Sequence, residues 1–164
     1  MAQNTAQNTA TARYSDDGFQ MALEAHRQGA LDNAVAGYRR TVAEMPQHVD
    51  AWGNLCVAYL ALGRAEESVA AGRKALALRP DMAELHINVA AALKSLGQLV
   101  EARRALEQAI ALQPASAPAH INLGNVLRAA GQADAALDAY ELAGGLAPGD
   151  IAARRLDFDH LGAQ

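Results

Sequence analysis

The chain has 164 residues, enough for one domain with a sizeable core. Its formal charge of −4, with acids and bases interspersed, argues against the dominant basic face that a nucleic-acid binder needs. Cys56 is the one cysteine, so no intrachain disulfide is possible, and no apolar run approaches the ~18 residues of a membrane span.

Residues 1–10 are polar, uncharged and self-duplicated. They lack the basic start and apolar stretch of a secretory leader. Residues 1–14 therefore read as a flexible N-terminal tail, and cytoplasmic residence is the expectation. From residue 15 the chain becomes periodic. Pro46, Pro80, Pro114 and Pro148 fall at an interval of 34 residues, and Gly29, Gly63, Gly97 and Gly131 keep the same interval. A fixed period of this length marks a stacked repeat array. The repeats span 15–48, 49–82, 83–116 and 117–150. Residues 151–164 begin a fifth and stop, which predicts a partial repeat or a short capping helix.

Each repeat reads as two helices, near 16–28 and 32–44, 50–62 and 66–78, 84–96 and 100–112, 118–130 and 134–143, with no strand. In the second repeat Trp52, Leu55, Cys56, Tyr59 and Leu62 recur at helical spacing and form one apolar stripe. Gly63 ends that helix. Glu66-Glu67 then complement the next helix dipole, and Pro80 forbids continuation. Asp81 stands near the following N-terminus. Ser116-Ala117-Pro118 opens the fourth repeat as a cap followed by a first-turn proline. Gly144-Gly145 interrupts the last helix, which is expected to end early.

The stacking logic lies in columns one period apart. Ala22, Cys56, Ala90 and Gly124 are small, as are Ala34, Ser68, Ala102, Ala136 and Thr41, Ala75, Ala109, Ala143. Beside the first column run Met21, Leu55, Val89 and Leu123, bulky residues expected to fill the holes between closely approached helices.

These columns closely resemble the tetratricopeptide repeat (TPR). The second repeat supplies Trp52, Leu55, Tyr59, Gly63, Ala75 and Pro80; the fourth supplies Leu123-Gly124, Gly131, Ala136, Tyr140, Ala143 and Pro148. Gly18 departs from the pattern where Trp52 stands one repeat later. Gly72 departs where Tyr38, Leu106 and Tyr140 stand, and reads as unfilled packing volume. The resemblance implies an all-α solenoid of four helix-turn-helix repeats in a right-handed superhelix with a C-terminal cap. It also implies a protein–protein scaffold or adaptor that binds a peptide or partner segment in a concave groove lined by the first helices.

The helix face opposite the apolar stripe carries a column of carboxamides, Asn54, Asn88 and Asn122, continued by Gln20 and flanked by Asn125. Carboxamides both donate and accept hydrogen bonds, so a ladder of them suits a peptide backbone. Val57, Ile87 and Ile121, with Phe19 and Leu60 nearby, are expected as an apolar strip on the same exposed wall. Lys94 and Arg128 lie near the helix ends. Few other bases reach this wall, which disfavours a carboxylate clamp. His-Ile-Asn-Leu-Gly-Asn (120–125) and His-Ile-Asn-Val (86–89) look like the repeats of O-linked N-acetylglucosamine transferases, although asparagine at this place is also common in generic repeats. Two alternatives stand beside the scaffold: the substrate-recruiting part of a larger enzyme such as a glycosyltransferase, or a self-assembling module. The expected state is a monomer or weak homo-oligomer whose partner is a protein or extended peptide, not nucleic acid or membrane.

Catalytic residues, metals and cofactors are not expected. His86 and His120 share a column, but helix packing separates such residues by ~10 Å and no third ligand joins them. Each reads as a histidine in the packing place of Trp52. Cys56 falls in a small-residue column and reads as a buried small hydrophobe without a partner base. The pairs Arg39-Arg40, Arg73-Lys74 and Arg103-Arg104 read as solvated faces of second helices.

Overall fold

The computed structural model describes residues 17–146. Eight helices and no strand are found among them. Helix α1 covers residues 17–27, followed by α2 (Leu31–Glu44), α3 (Val49–Ala61), α4 (Ala65–Leu78), α5 (Ala83–Ser95), α6 (Leu99–Leu112), α7 (Ala117–Ala129) and α8 (Ala133–Leu146). The N-terminal tail and the fifth-repeat or capping segment lie outside the described residues. No helix among the described residues is long and apolar enough to cross a membrane.

The helix ends repeat nearly atom for atom. Gly29, Gly63, Gly97 and Gly131 all take positive φ, between 72° and 76°. A side chain is strained there, and glycine is not. The next residue then donates its N–H five residues back, in the bonds from Ala30 to Ala25, Arg64 to Tyr59, Gln98 to Leu93 and Gln132 to Leu127, each 2.9 Å. This Schellman closure satisfies carbonyls that the helix end would leave open. At the far ends of α2, α4 and α6 the N–H groups of Met45, Arg79 and Gln113 donate to Thr41, Ala75 and Ala109, and a proline follows directly each time, at 46, 80 and 114. Ser116 caps α7 by accepting from the Ala119 N–H, as the sequence predicts. Asp81 does not cap α5: the cap position is Met82, one residue later, and no side chain bonds there.

The structure divides into two compact halves, the first ending at Pro80 and the second beginning at Asp81. In the first half α2 packs on α3 and α3 on α4; in the second, α5, α6, α7 and α8 pack in sequence, with α5 also against α7. The small columns are the contact surfaces. Ala34, Ser68, Ala102 and Ala136 are all sealed from solvent, as are Cys56, Ala75, Ala90, Ala109 and Ala143. In α4, Ser68 Oγ donates to the Cys56 carbonyl at 2.8 Å, so the one polar member of its column is satisfied.

Two expectations about packing change. Met21 is 71% exposed, although Leu55 and Val89 in its column are buried. Leu55 belongs to α3, which packs on α2; among the described residues no helix precedes α1 to cover Met21 in the same way. Helix α8 does not stop at Gly144-Gly145 but continues to Leu146. Tyr140 and Ala143 are buried in the turn before the glycines, and that anchoring outweighs a propensity cost of about 1 kcal/mol per glycine.

Candidate partner-binding site

The first helices of the repeats, α1, α3, α5 and α7, carry the residues that the sequence nominates. In the first half, Gln20 is exposed on α1, and Asn54 and Val57 are half-buried on α3. In the second half, Ile87, Asn88 and Lys94 are half-buried on α5, and Asn122 and Asn125 are half-buried on α7, where Arg128 is exposed. Because α5 packs against α7, that half brings Asn88 and Asn122 onto neighbouring helices.

Two of the carboxamides are held by their own helices. Asn54 Nδ2 donates to the Asp50 carbonyl at 2.8 Å, and Asn122 Nδ2 donates to the Pro118 carbonyl at 2.9 Å. Both bonds run four residues back and use one of two amide hydrogens. They fix the rotamer and leave acceptor and donor capacity for a partner. Asp50 is itself tied across the hairpin by Arg79, at 2.8 Å. Asn125 differs, because its Oδ1 accepts from the Tyr140 hydroxyl at 2.9 Å. It joins α7 to α8 within the repeat.

The apolar strip is narrower than expected. Val57, Leu60 and Ile87 are half-buried, but Phe19 and Ile121 are core residues, each 8% exposed. Phe19 lies between Tyr38 and His48, with ring centroids 5.8 Å and 4.5 Å away. Both side chains sit at the border of stripe and opposite face, where rotation at ~100° per residue does not separate the two. The bases near this wall are partly engaged: Arg27 pairs with Glu24 at 3.1 Å, and His26 Nδ1 lies 3.1 Å from the Tyr38 hydroxyl.

His120 takes the place of tryptophan, as its column predicts. Its Nε2 lies 2.9 Å from the Pro114 carbonyl, and the Trp52 Nε1–H donates to the Pro46 carbonyl at 2.9 Å. Both ties run six residues back. Donation from Nε2 leaves His120 Nδ1 as a buried acceptor without a donor. Cys56 is buried, and its Sγ lies 3.4 Å from Ser68 Oγ. Burial pushes its thiol up, against smaller lowering from the Ser68 hydroxyl and the Gly72 backbone. No cluster of three or more His, Cys, Asp or Glu able to hold a metal is present among the described residues.

A second surface escaped the sequence reading. Between α2 and α4, over α3, lies a groove of about 430 Å³ floored by Val42, Trp52, Leu55 and Tyr59 and rimmed by Arg39, Glu67 and Lys74. Arg64 lies over the Tyr59 ring, 4.6 Å from its centroid, and binds Glu67 at 2.6 Å. That hydrogen bond holds the Glu67 carboxyl below the usual range. The corresponding place in the second half is a concavity of about 800 Å³ that includes Ile110, His120, Asp138, Glu141, Leu142 and Leu146. The signal lay in one column, Arg39, Arg73, Glu107 and Glu141, which changes sign midway along the chain.

Comparison with known proteins agrees with this geometry. The sequence model of the tetratricopeptide repeat matches residues 25–71 and 93–156, well over half of the chain. Among solved structures, one crystal structure of MamA is 26% identical, with a TM-score of 0.75, covering 79% of this chain and 75% of that one. A second MamA crystal structure is 25% identical, with a TM-score of 0.78 and coverage of 83% and 74%. MamA from Desulfovibrio magneticus RS-1 is 18% identical, with a TM-score of 0.79 and coverage of 83% and 77%. No curated protein sequence matches significantly. Neither finding supports the narrower likeness to O-linked N-acetylglucosamine transferase repeats.

Proposed function

The chain belongs to the tetratricopeptide repeat family, and from that premise we propose that it is an interaction scaffold whose first helices bind an extended segment of a partner protein. The observation that carries this reading is the pre-set carboxamide. Asn54 and Asn122 spend one amide hydrogen on the carbonyl four residues back. Their rotamers are thereby fixed before a partner arrives, which lowers the ordering cost of binding. Gln20 on α1 and Asn88 on α5 hold the equivalent repeat position, each within its own half. A partner backbone, with alternating donors and acceptors, matches such groups whatever its side chains. Val57 and Ile87 add half-buried apolar area beside them.

Affinity capture from native lysate with the wild-type chain and an Asn54→Ala/Asn88→Ala/Asn122→Ala variant tests this. The variant is expected to keep the helical circular dichroism and melting temperature of the wild type while losing the captured partner. Equal capture by both proteins would reject the carboxamide column as the binding element.

A further inference from the structure

We propose that α8 of one copy docks in the α2–α4 groove of a second copy, so that the chain associates head to tail. The argument starts from α8. Leu142 is 59% and Leu146 44% exposed. They lie four residues apart, on one face with Asp138, which precedes Leu142 by four. Glu141 stands beside them, exposed. This exposed face, the α8 side of the open concavity, is therefore apolar along its length and acidic at its flank.

The α2–α4 groove is its complement in both respects. Its floor is Val42, Trp52, Leu55 and Tyr59, and its exposed bases are Arg39 and Lys74. The one acid on its rim, Glu67, is already bound by Arg64, so Arg39 and Lys74 set the sign that an incoming helix meets. Apolar area supplies attraction, and opposed charges fix register and reject wrong partners. A helix face presented to a hydrophobic groove is a common recognition mode. The two surfaces differ, so the contact is heterologous and propagates into rings or filaments instead of closing as a two-fold dimer. It uses neither the carboxamide column nor any residue in it, and so stands or falls apart from the proposed function.

Sedimentation velocity and light scattering of the full chain over a concentration series test the contact. Wild type is expected to self-associate, less so at high salt because the rim charges are exposed. Arg39→Glu/Lys74→Glu and Asp138→Lys/Glu141→Lys should each weaken association by about tenfold or more. An equimolar mixture of the two variants, or all four reversals in one chain, should restore it, and that rescue would not follow from misfolding. A wild type that stays monomeric at every concentration would overturn the proposal. So would reversed variants that associate like wild type. Association that arises only after removal of residues 147–164 would also overturn it, by assigning the exposed α8 face to the chain's own C-terminal segment.

Discussion

A β-carbon at Gly124 of α7 would stand 2.7 Å from Cδ1 of Tyr140 and 2.8 Å from its Cζ, closer than real contacts allow. Tyr140 cannot simply swing away, because it is buried and its hydroxyl is tied to Asn125. Gly124→Ala is therefore expected to cost about 1–3 kcal/mol in chemical denaturation, as overpacked cores do. Adding Tyr140→Leu should recover part of the loss, since Ala90 and Leu106 hold the same two columns one repeat earlier, both fully buried. Cys56 and Gly72 hold those columns with the sizes reversed. Read column by column, Gly72 looks like a defect; read as a pair sixteen residues apart, it complements the larger Cys56, whose thiol lies against the Gly72 backbone. Gly72→Ala should then gain its helix propensity, about 1 kcal/mol, only alongside Cys56→Gly, and a gain in the single variant would show that the site is slack. Sequence alone revealed the small columns because size repeats at fixed phase. It missed Met21, since phase does not say whether a neighbouring helix exists, and it missed Phe19 and Ile121 at the edge of the stripe. Tyr38 adds a pH dependence. Burial pushes its phenol up to about 12, against a smaller lowering by Arg27. The unfolded chain loses that proton near 10, so the contribution to stability is complete below pH 10 and is lost as pH climbs toward 12. Tyr38→Phe is expected to flatten that alkaline decline in melting temperature; an unchanged slope would mean that other groups cause it.

At the scale of helices, one tie is made by two residue types. Trp52 and His120 both reach the carbonyl of a proline six residues back. The tie secures the start of a first helix to the turn that precedes it. Tryptophan does so with a single ring nitrogen that only donates. Histidine brings a second nitrogen, and in His120 that atom is buried without a donor. An unmet buried acceptor costs about 1–3 kcal/mol. The ring borders the open concavity beside Ile110 and Leu142, which has space for a larger indole. His120→Trp is therefore expected to raise the melting temperature, while His120→Phe, which loses the tie to Pro114, should gain less. A lower melting temperature for the tryptophan variant would show that the turn is fitted to the smaller ring. Helix order and most helix ends were legible because the stops are glycine and proline, whose backbone limits are intrinsic. The end of α8 was not, because packing by Tyr140 and Ala143 overrides the local preference of Gly144-Gly145. The charge reversal from Arg39 and Arg73 to Glu107 and Glu141 was equally visible, but its meaning depends on the α2–α4 groove, which only the packing of α3 creates.

Across the whole chain, stability in a repeat array is close to a sum of local terms, each repeat holding its neighbours. Such molecules open in parts, and the parts with least buried area open first. The largest side chains sealed from solvent are Tyr38 and Thr41 in α2, Cys56 in α3, Ser68 in α4 and Leu106 in α6. Helix α8 contributes none of these and exposes Leu137, Leu142 and Leu146. Among the described helices its main packing partner is α7, and two glycines weaken its last turn. In native-state hydrogen exchange at low protein concentration, the amides of α8 are expected to exchange earlier than those of α2, α3 and α6, with little dependence on denaturant. Uniform protection across all helices would instead mean that the array unfolds as one unit. The same measurement separates fraying from docking. If α8 seats in a second copy, its protection must rise with protein concentration, while that of α6 stays constant, because only the docked helix gains burial by mass action. In the Asp138→Lys/Glu141→Lys variant that rise should vanish, leaving the early exchange of the isolated chain.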